Sequence, residues 1–313
     1  TELVVTVRAG TPLAELEALL ATQGQCLAFE PPHFAEGGTV GGMVATGLAG
    51  PRRMSVGSVR DFILGAVLVS ATGEVMRFGG QVMKNVAGYD ISRLLVGSMG
   101  VLGLIAEVSL KVLPLPKADV SLRLPMDAAE SIRRCNEWAG KPLPLAATVW
   151  HDGVLTVRLC GAVRAVESAV AQLKGSLVPA EEAGVFWRAI RDQRHAFFRD
   201  AGPSAPLWRL SVPDTAPLLD LPGRQLIEWG GALRWYLPDG PADEVSAGKQ
   251  ASALREQVAG QGGSATLFRA DAAHAGIERF HPLSATSQTI HKRLKQALDP
   301  AGAINPGRLY SWM

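Results

Sequence analysis

Six glycines lie among fifteen residues in the stretch EGGTVGGMVATGLAG, which spans residues 36–50. Glycine is normally needed where φ is positive or where the backbone closely approaches another group. If that group is a phosphate, backbone N–H groups at the start of a helix form a site for its negative charge. Apolar residues such as Val40 and Leu48 alternate with the glycines, which favours backbone passing a buried ligand over a flexible surface loop.

A second glycine cluster strengthens this interpretation. Gly88, Gly97, Gly100 and Gly103 precede a long apolar run, and glycines that enter a strand indicate backbone close to a flat or extended ligand. Neither cluster has the dinucleotide fingerprint or the P-loop spacing. Two clusters about fifty residues apart therefore favour a long ligand with a pyrophosphate in its middle.

The sequence contains no self-evident catalytic constellation, so the catalytic residues stay unassigned. Its six histidines form neither H-x-x-x-H nor H-E-x-x-H, and no nucleophile elbow G-x-S-x-G is present. We interpret His274 and His281 as ordinary surface or hinge histidines and predict no metal site. Cys26, Cys135 and Cys160 are too widely spaced for a C-x-x-C motif, which indicates free thiols in a reducing cytoplasm.

Composition narrows the class of protein. The chain has 313 residues, of which 47% are hydrophobic and 19% charged, and this suffices for two domains with separate cores. A net charge of +2 without a basic stripe gives no indication of nucleic-acid binding. The longest apolar runs are too short to cross a bilayer. The opening directly in a strand-like run suggests a missing first segment.

Residue patterning predicts an α+β domain that ends near residue 117. Residues 3–7 alternate like a strand, and we expect a helix after them with Thr11 as cap and Pro12 at its first position. Residues 62–80 predict two strands joined by a turn, and Asp90 could cap a short helix. A long strand follows and stops at two prolines.

From residue 120 onward, two successive rounds of similar element order predict ferredoxin-like units. The first round comprises strands at 119–124, 146–150 and 154–160 and helices at 127–139 and 162–174. The second comprises strands at 207–212, around 225–237 and at 264–269, a short helix after Pro213 and a helix at 243–259. A final helix and a turn-rich tail end the chain.

The runs PPHFAEGGTVGGMVATGLAGPRR and GSVRDFILGAVLVSATGEVMRFGG resemble the FAD-binding domain of the PCMH-type (vanillyl-alcohol-oxidase) flavoprotein superfamily. Within it, the phrases TELVVTVRAGTPL, LIEWGGALRW and INPGRLY are similar to the FAD-binding E subunits of bacterial glycolate oxidases. The resemblance implies an α+β fold with three parts. These are a PCMH-type FAD domain at 1–117 lacking its N-terminal subdomain, an antiparallel-sheet cap domain of two ferredoxin-like βαββα units at 118–285, and a helix and tail at 286–313 that return to the FAD domain.

The resemblance also implies which residues bind FAD. A turn presents its backbone to the pyrophosphate, the following residues surround the ribityl and flavin end, and a later run lines the nucleotide. These residues are Thr39, Val40, Gly41 and Gly42 at the pyrophosphate; Ala45, Thr46 and Gly47 toward the flavin; Gly57 and Ser58 on the next loop; Ser98, Gly100, Gly103, Leu104 and Ile105 along the nucleotide; and Pro32 and Asn305 beside them.

By the same resemblance, the chain is a subunit of a complex that oxidises glycolate to glyoxylate. Its implied partners are a related FAD-containing D subunit and an iron–sulfur F subunit that receives the electrons. The H-x-G-D-G-N motif of related dehydrogenases is absent here, which leaves oxidation at the substrate carbon mostly to the D subunit. A cytoplasmic location follows, or one peripheral to the inner face of the bacterial inner membrane. Two alternatives stay open: a flavin-free structural subunit and a self-sufficient FAD-dependent hydroxy-acid dehydrogenase.

Overall fold

The computed structural model describes residues 3–80, 90–202, 205–239 and 243–313. Gly88, part of the second glycine cluster, lies outside these residues. The chain divides into two compact units. Unit 1 comprises the residues up to 115 together with 282–313, and unit 2 comprises residues 116–281. No helix among the described residues is both long and apolar enough to cross a membrane.

Unit 1 is built on an antiparallel sheet with several short helices. Its elements before residue 116 are β1 (Val4–Arg8), α1 (Leu13–Thr22), β2 (Gln25–Cys26), α2 (Val40–Thr46), α3 (Arg53–Val56), α4 (Val59–Phe62), β3 (Ile63–Val69), β4 (Val75–Gly79), α5 (Ile91–Leu95), β5 (Leu104–Lys111) and β6 (Leu113–Pro114). In the described residues, the sheet runs in the order β1-β5-β3-β4, and β2 pairs with β6.

One face of this sheet forms the core of unit 1. Val108 and Leu110 of β5 are fully buried and belong to one cluster with Leu16 and Leu20 of α1. Alternation along β5 puts polar side chains on the opposite face, where the hydroxyls of Thr6 and Ser109 lie 2.8 Å apart. The sheet therefore has one apolar and one polar face, as the alternation in the sequence predicts.

The structure confirms one of the two predicted helix caps and contradicts the other. Asp90 caps α5, because its carboxylate accepts the N–H of Arg93 at 3.4 Å. The prediction for Thr11 is wrong: Pro12 occupies the N-cap of α1, and no side chain caps this helix. The N–H of Leu13 instead donates to the carbonyl of Gly38 at 2.8 Å, so the glycine-rich segment supplies the acceptor that a capping side chain would provide.

Unit 2 contains two successive groups of four strands, and the helix predicted between the first two strands of the second group is absent from the described residues. Its elements are β7 (Ala118–Pro125), α6 (Ala128–Ala139), β8 (Leu145–His151), β9 (Val154–Gly161), α7 (Val163–Leu173), β10 (Ser176–Val178), α8 (Ala180–Arg191), α9 (Ala196–Arg199), β11 (Leu207–Ser211), β12 (Gly223–Glu228), β13 (Leu233–Pro238), α10 (Glu244–Gly260) and β14 (Ser264–Arg269). In the described part of the chain, the sheet order is β10-β7-β9-β8-β12-β13-β11-β14. The final helix, α11 (Ala285–Leu298), belongs to unit 1.

The short helix predicted after Pro213 is absent from the described residues, where a turn and extended chain occupy 213–222. The side chain of Arg234 explains this difference. Arg234 is fully buried, and its guanidinium donates to the carbonyls of Ala216 at 2.6 Å, Pro217 at 2.7 Å and Gly231 at 3.1 Å. The hydrogen bonds to Ala216 and Pro217 hold this segment on its non-helical path around the guanidinium. Burial lowers the pKa of Arg234 to about 10.

We expect Arg234→Lys to lower the free energy of unfolding by about 2–4 kcal/mol, because an ammonium group cannot reproduce the planar set of donors. Urea unfolding measures the change. Arg224→Lys, at an exposed position on the neighbouring strand β12, is the matched control. Equal stability of the two variants would show that the three carbonyls do not depend on the guanidinium.

Candidate functional site

Helix α2 begins at the centre of the first glycine-rich stretch. The hydroxyl of Thr39 accepts the N–H of Gly42 at 3.1 Å and caps the helix. The N–H of Gly41 donates to the carbonyl of Ala9 at 2.7 Å. A Cβ on Gly41 would lie 2.7 Å from the Cβ of Ala9, so glycine here allows the helix to touch the residue that follows β1. Val40 is fully buried.

The first N–H groups of α2 are therefore already used inside the protein. Val40 donates to the carbonyl of Thr11, and Met43 donates to that of Thr39, each at 3.0 Å. In the described residues, the N–H groups of Gly37, Gly38 and Thr39 donate to no acceptor. The donors available to an anion are thus the residues immediately before the helix.

These donors border an open cleft with a volume of about 380 Å³. No heavy atom lies within 4 Å of a Cβ built on Gly37 or Gly38, so their backbone is accessible. Phe34 is 47% exposed at the same place. The cleft is lined by Leu13, Pro32, His33, Phe34, Ala35, Glu36, Gly37, Gly38, Thr39, Gly42, Met43, Thr46 and Leu48. Four residues of the predicted site, Pro32, Thr39, Gly42 and Thr46, come together here.

A polar pair that the sequence did not reveal lies beside the cleft. Nε2 of His33 is 2.6 Å from a carboxylate oxygen of Glu17. Glu17 lies on helix α1 and His33 in the Pro-Pro-His turn, 16 positions apart. Neither helical nor strand periodicity relates positions at this distance, so the sequence does not predict the pair. The pairing fixes the orientation of the His33 ring at the wall of the cleft.

The second glycine-rich loop packs along the C-terminal end of α2. The N–H of Gly97 donates to the carbonyl of Val44 at 3.0 Å, and that of Met99 to Ala45 at 2.8 Å. Gly47 ends the helix with φ of 62°, and a Cβ there would lie 3.0 Å from the nitrogen of Gly97. The predicted residues Ala45 and Gly47 thus adjoin the 97–103 loop.

The C-terminal tail reaches the same loop. The side-chain amide of Asn305 donates to the carbonyl of Gly100 at 3.1 Å. A Cβ on Gly100 would lie 2.8 Å from Nδ2 of Asn305. Within the loop, the hydroxyl of Ser98 donates to the carbonyl of Leu95 at 2.8 Å. The three predicted residues Ser98, Gly100 and Asn305 therefore lie together.

The remaining predicted residues have local structural contacts. The N–H and hydroxyl of Ser58 bind Asp61 at 2.7 and 2.9 Å, and a Cβ on Gly57 would lie 2.8 Å from the same carboxylate. A Cβ on Gly103 would meet Leu68 at 2.9 Å. In β5, Ile105 is buried in the core, whereas the side chain of Leu104 is 66% exposed.

Beneath the tail lies an ion pair that the sequence analysis missed. Nζ of Lys295 is 2.6 Å from a carboxylate oxygen of Asp299, and the two residues are 7% and 2% exposed. Asp299 also accepts the N–H groups of Ala303 and Ile304 at 3.0 and 2.8 Å. The hydrogen bond from Lys295 is the main cause that lowers the pKa of Asp299 from 3.8 to about 2.

Other candidate chemical groups do not form a centre. Cys26, Cys135 and Cys160 are free thiols, as predicted, and burial raises the pKa of Cys135 to about 11, which disfavours a nucleophilic thiolate. His274 is only 2% exposed and contacts Asp271 at 2.6 Å, so the interpretation of this residue as a surface histidine is wrong. Over the described ranges, no group of three or more His, Cys, Asp or Glu side chains is positioned to hold a metal ion.

A cleft edged by backbone donors and glycines, on a small α+β unit, is typical of domains that bind a phosphate-bearing ligand with the main chain. A family model described as FAD binding domain matches residues 1–79. The chain is 47% identical to the glycolate oxidase subunit GlcE of Escherichia coli over 311 residues, which cover 99% of this chain and 83% of that protein. The chain therefore belongs to the family of this glycolate oxidase subunit.

More distant relatives match part of the chain. The D-lactate dehydrogenase of Anaerostipes hadrus is 38% identical over 41% of this chain and 26% of its own length. The glycolate oxidase subunit GlcD of Bacillus subtilis is 36% identical over 38% of this chain and 25% of its own length. A solved alkyldihydroxyacetonephosphate synthase shares the fold, with a TM-score of 0.63 and 16% identity, over 97% of this chain and 65% of that one.

Gly47→Ala tests the close contact between α2 and the 97–103 loop. We expect a loss of about 2–4 kcal/mol in unfolding free energy, from positive φ and from the clash with Gly97. Gly73→Ala is the control, because Gly73 has a φ of 81° but no heavy atom within 4 Å of a Cβ built there. This variant should lose only about 1 kcal/mol of unfolding free energy. Chemical denaturation compares them, and equal losses would contradict the contact.

Asp299→Asn tests the buried ion pair by its pH dependence. A lowered pKa in the folded state means that the carboxylate stabilises the fold above pH 4 and stops doing so as pH falls through about 2. We expect Asp299→Asn to lose about 3–5 kcal/mol near pH 7, where it leaves Lys295 unpaired. This deficit should shrink toward pH 2. Unfolding at several pH values measures it, with exposed Asp220→Asn as control; a deficit independent of pH would contradict the pairing.

Proposed function

We propose that this chain is the FAD-binding subunit of a glycolate oxidase complex, oxidising glycolate or a similar 2-hydroxy acid to the 2-oxo acid. The observation that carries the proposal is the cleft beside α2, with three unpaired backbone donors in succession from Gly37 to Thr39. The membership of the GlcE family supports the same function.

The residues of the cleft fit a dinucleotide cofactor. N–H groups of Gly37, Gly38 and Thr39 can donate to phosphate oxygens without any lysine. Gly42 is exposed toward the cleft, where the missing side chain leaves room for a ligand against the helix. At 380 Å³, the cleft suits one segment of an extended ligand, and Ala45, Gly47 and the 97–103 loop continue the surface beyond Thr46.

FAD bound there supplies an acceptor for the hydride of the hydroxyl-bearing carbon. The residues of the cleft would bind and orient this cofactor. The glycine backbone would hold the phosphates, Phe34 and Leu48 would cover an apolar part of the ligand, and the Glu17–His33 pair would maintain the wall of the cleft. We include in this proposed site the remaining residues that the family resemblance implies, among them Gly57, Ser58 and Leu104. Proton transfer at the substrate is proposed to come from a related D subunit, and an iron–sulfur F subunit would take the electrons.

The similarity of the chain to GlcD of Bacillus subtilis supports a complex of related subunits. We place that complex in the cytoplasm or at the inner face of the bacterial inner membrane, bound peripherally.

One observation favours a second function, that of a flavin-free structural subunit: the first N–H groups of α2 are already paired within the protein. Flavin binding distinguishes the two functions.

Gly42→Leu in the complete gene product tests the proposed site. A leucine side chain at this position fills the cleft, and we expect the affinity for FAD to fall by about a hundredfold or more. Titration followed by flavin absorbance and fluorescence measures it. Gly248→Leu, on α10 with no heavy atom within 4 Å of its Cβ, is the control and should bind FAD like the wild type. Unchanged affinity in Gly42→Leu would remove the cleft as the site, and no flavin in the wild type would favour the structural subunit.

A further inference from the structure

We propose that Lys295 and Asp299 are positioning residues for the flavin site: they hold the 97–103 loop in its shape by joining it to the C-terminal tail. This inference rests on the proposed function, because it assigns to that loop a share of the cofactor surface. Neither side chain touches the cleft. They would act through the backbone of the loop.

All three donors of the Lys295 ammonium group are used. Besides Asp299, Nζ donates to the carbonyl of Val101 at 2.8 Å and to that of Ile304 at 2.7 Å. Val101 follows the glycine turn of the loop, and Ile304 belongs to the tail. One buried cation therefore binds the helix, the loop and the tail at a single point, with its charge balanced by Asp299.

Asp299 gives the tail its path. Its two carboxylate oxygens accept N–H groups from Ala303 and Ile304, which turns the chain back toward the loop. Asn305 follows and donates to the carbonyls of Met99 and Gly100 at 3.4 and 3.1 Å. Asn305 of the tail and Lys295 of α11 thus bind three successive carbonyl oxygens of the loop, those of residues 99, 100 and 101.

The loop needs such support because its backbone is in a rarely populated conformation. Gly97, Gly100 and Gly103 have positive φ, and Met99, which is not glycine, has φ of 53°. Glycine adopts positive φ readily, whereas a residue with a side chain, such as Met99, persists there only where the surroundings impose it. On one side, N–H groups of the loop donate to the carbonyls of Val44 and Ala45 in α2. On the other side, α11 supplies the cation of Lys295 and the tail supplies the amide of Asn305.

The test is a double variant, Lys295→Met with Asp299→Leu, which removes both charges and leaves no unpaired ion in the core. Such replacements avoid a buried unpaired charge, but the backbone groups of Val101, Ala303 and Ile304 lose these partners. We therefore expect a small fall in the unfolding temperature. Without the bridge to Val101, hydrogen exchange of the Gly97 and Met99 amides in the flavin-free protein should become at least about tenfold faster. The affinity for FAD should fall by about tenfold or more.

Arg293→Met, at an exposed position on the same helix, is the surface control and should change neither readout. Asn305→Ala, at an exposed position, provides a second route if the double variant does not fold, and it should also accelerate exchange in the loop. Wild-type exchange in the variants would overturn the inference. If the wild type binds no FAD, the proposed function fails, and the exchange measurement still decides whether the pair holds the loop.

Discussion

The close approach of helix α2 to the backbone on both sides of it sets the geometry of unit 1. At one end, Gly41 meets Ala9 so closely that its N–H bonds to the carbonyl of Ala9 at 2.7 Å. At the other end, Gly47 turns the chain away beside Gly97. A larger residue at either position would move the helix from the end of β1 or from the 97–103 loop. The cleft and the loop keep their separation because this helix is held between the two.

Much of this organisation could be predicted from residue types. The density of glycine in residues 36–50 predicts backbone that holds a ligand, and four of the predicted site residues line one cleft. The alternation of strands and helices in unit 2 can also be predicted from the sequence, because its longer helices carry apolar residues at the spacing of one helical face. Family resemblance added the identity of the ligand, which spacing alone could not supply.

Other features depend on tertiary contacts that a local pattern does not contain. The sequence does not show which N–H groups of α2 are available to a phosphate. The N–H groups of Val40 and Gly41 donate instead to the carbonyls of Thr11 and Ala9, which are remote in sequence. Lys295 and Asp299 have the spacing of an ordinary surface pair on a helix, and only the returning tail buries them. The helix expected after Pro213 failed because Arg234 takes the carbonyls of that segment.

The sheet of unit 2 also has a consequence for how this chain reaches its folded state. In the described residues, the two four-stranded halves meet at β8 and β12 through two registered residue pairs, Ile227 with Trp150 and Glu228 with Val149. Within the first half, β7 and β9 pair along eight residues. Most backbone pairing is thus completed inside each half, where loop closure costs less entropy. The first half can form its sheet during synthesis before the second has left the ribosome. The short pairing of β8 with β12 then aligns the two halves.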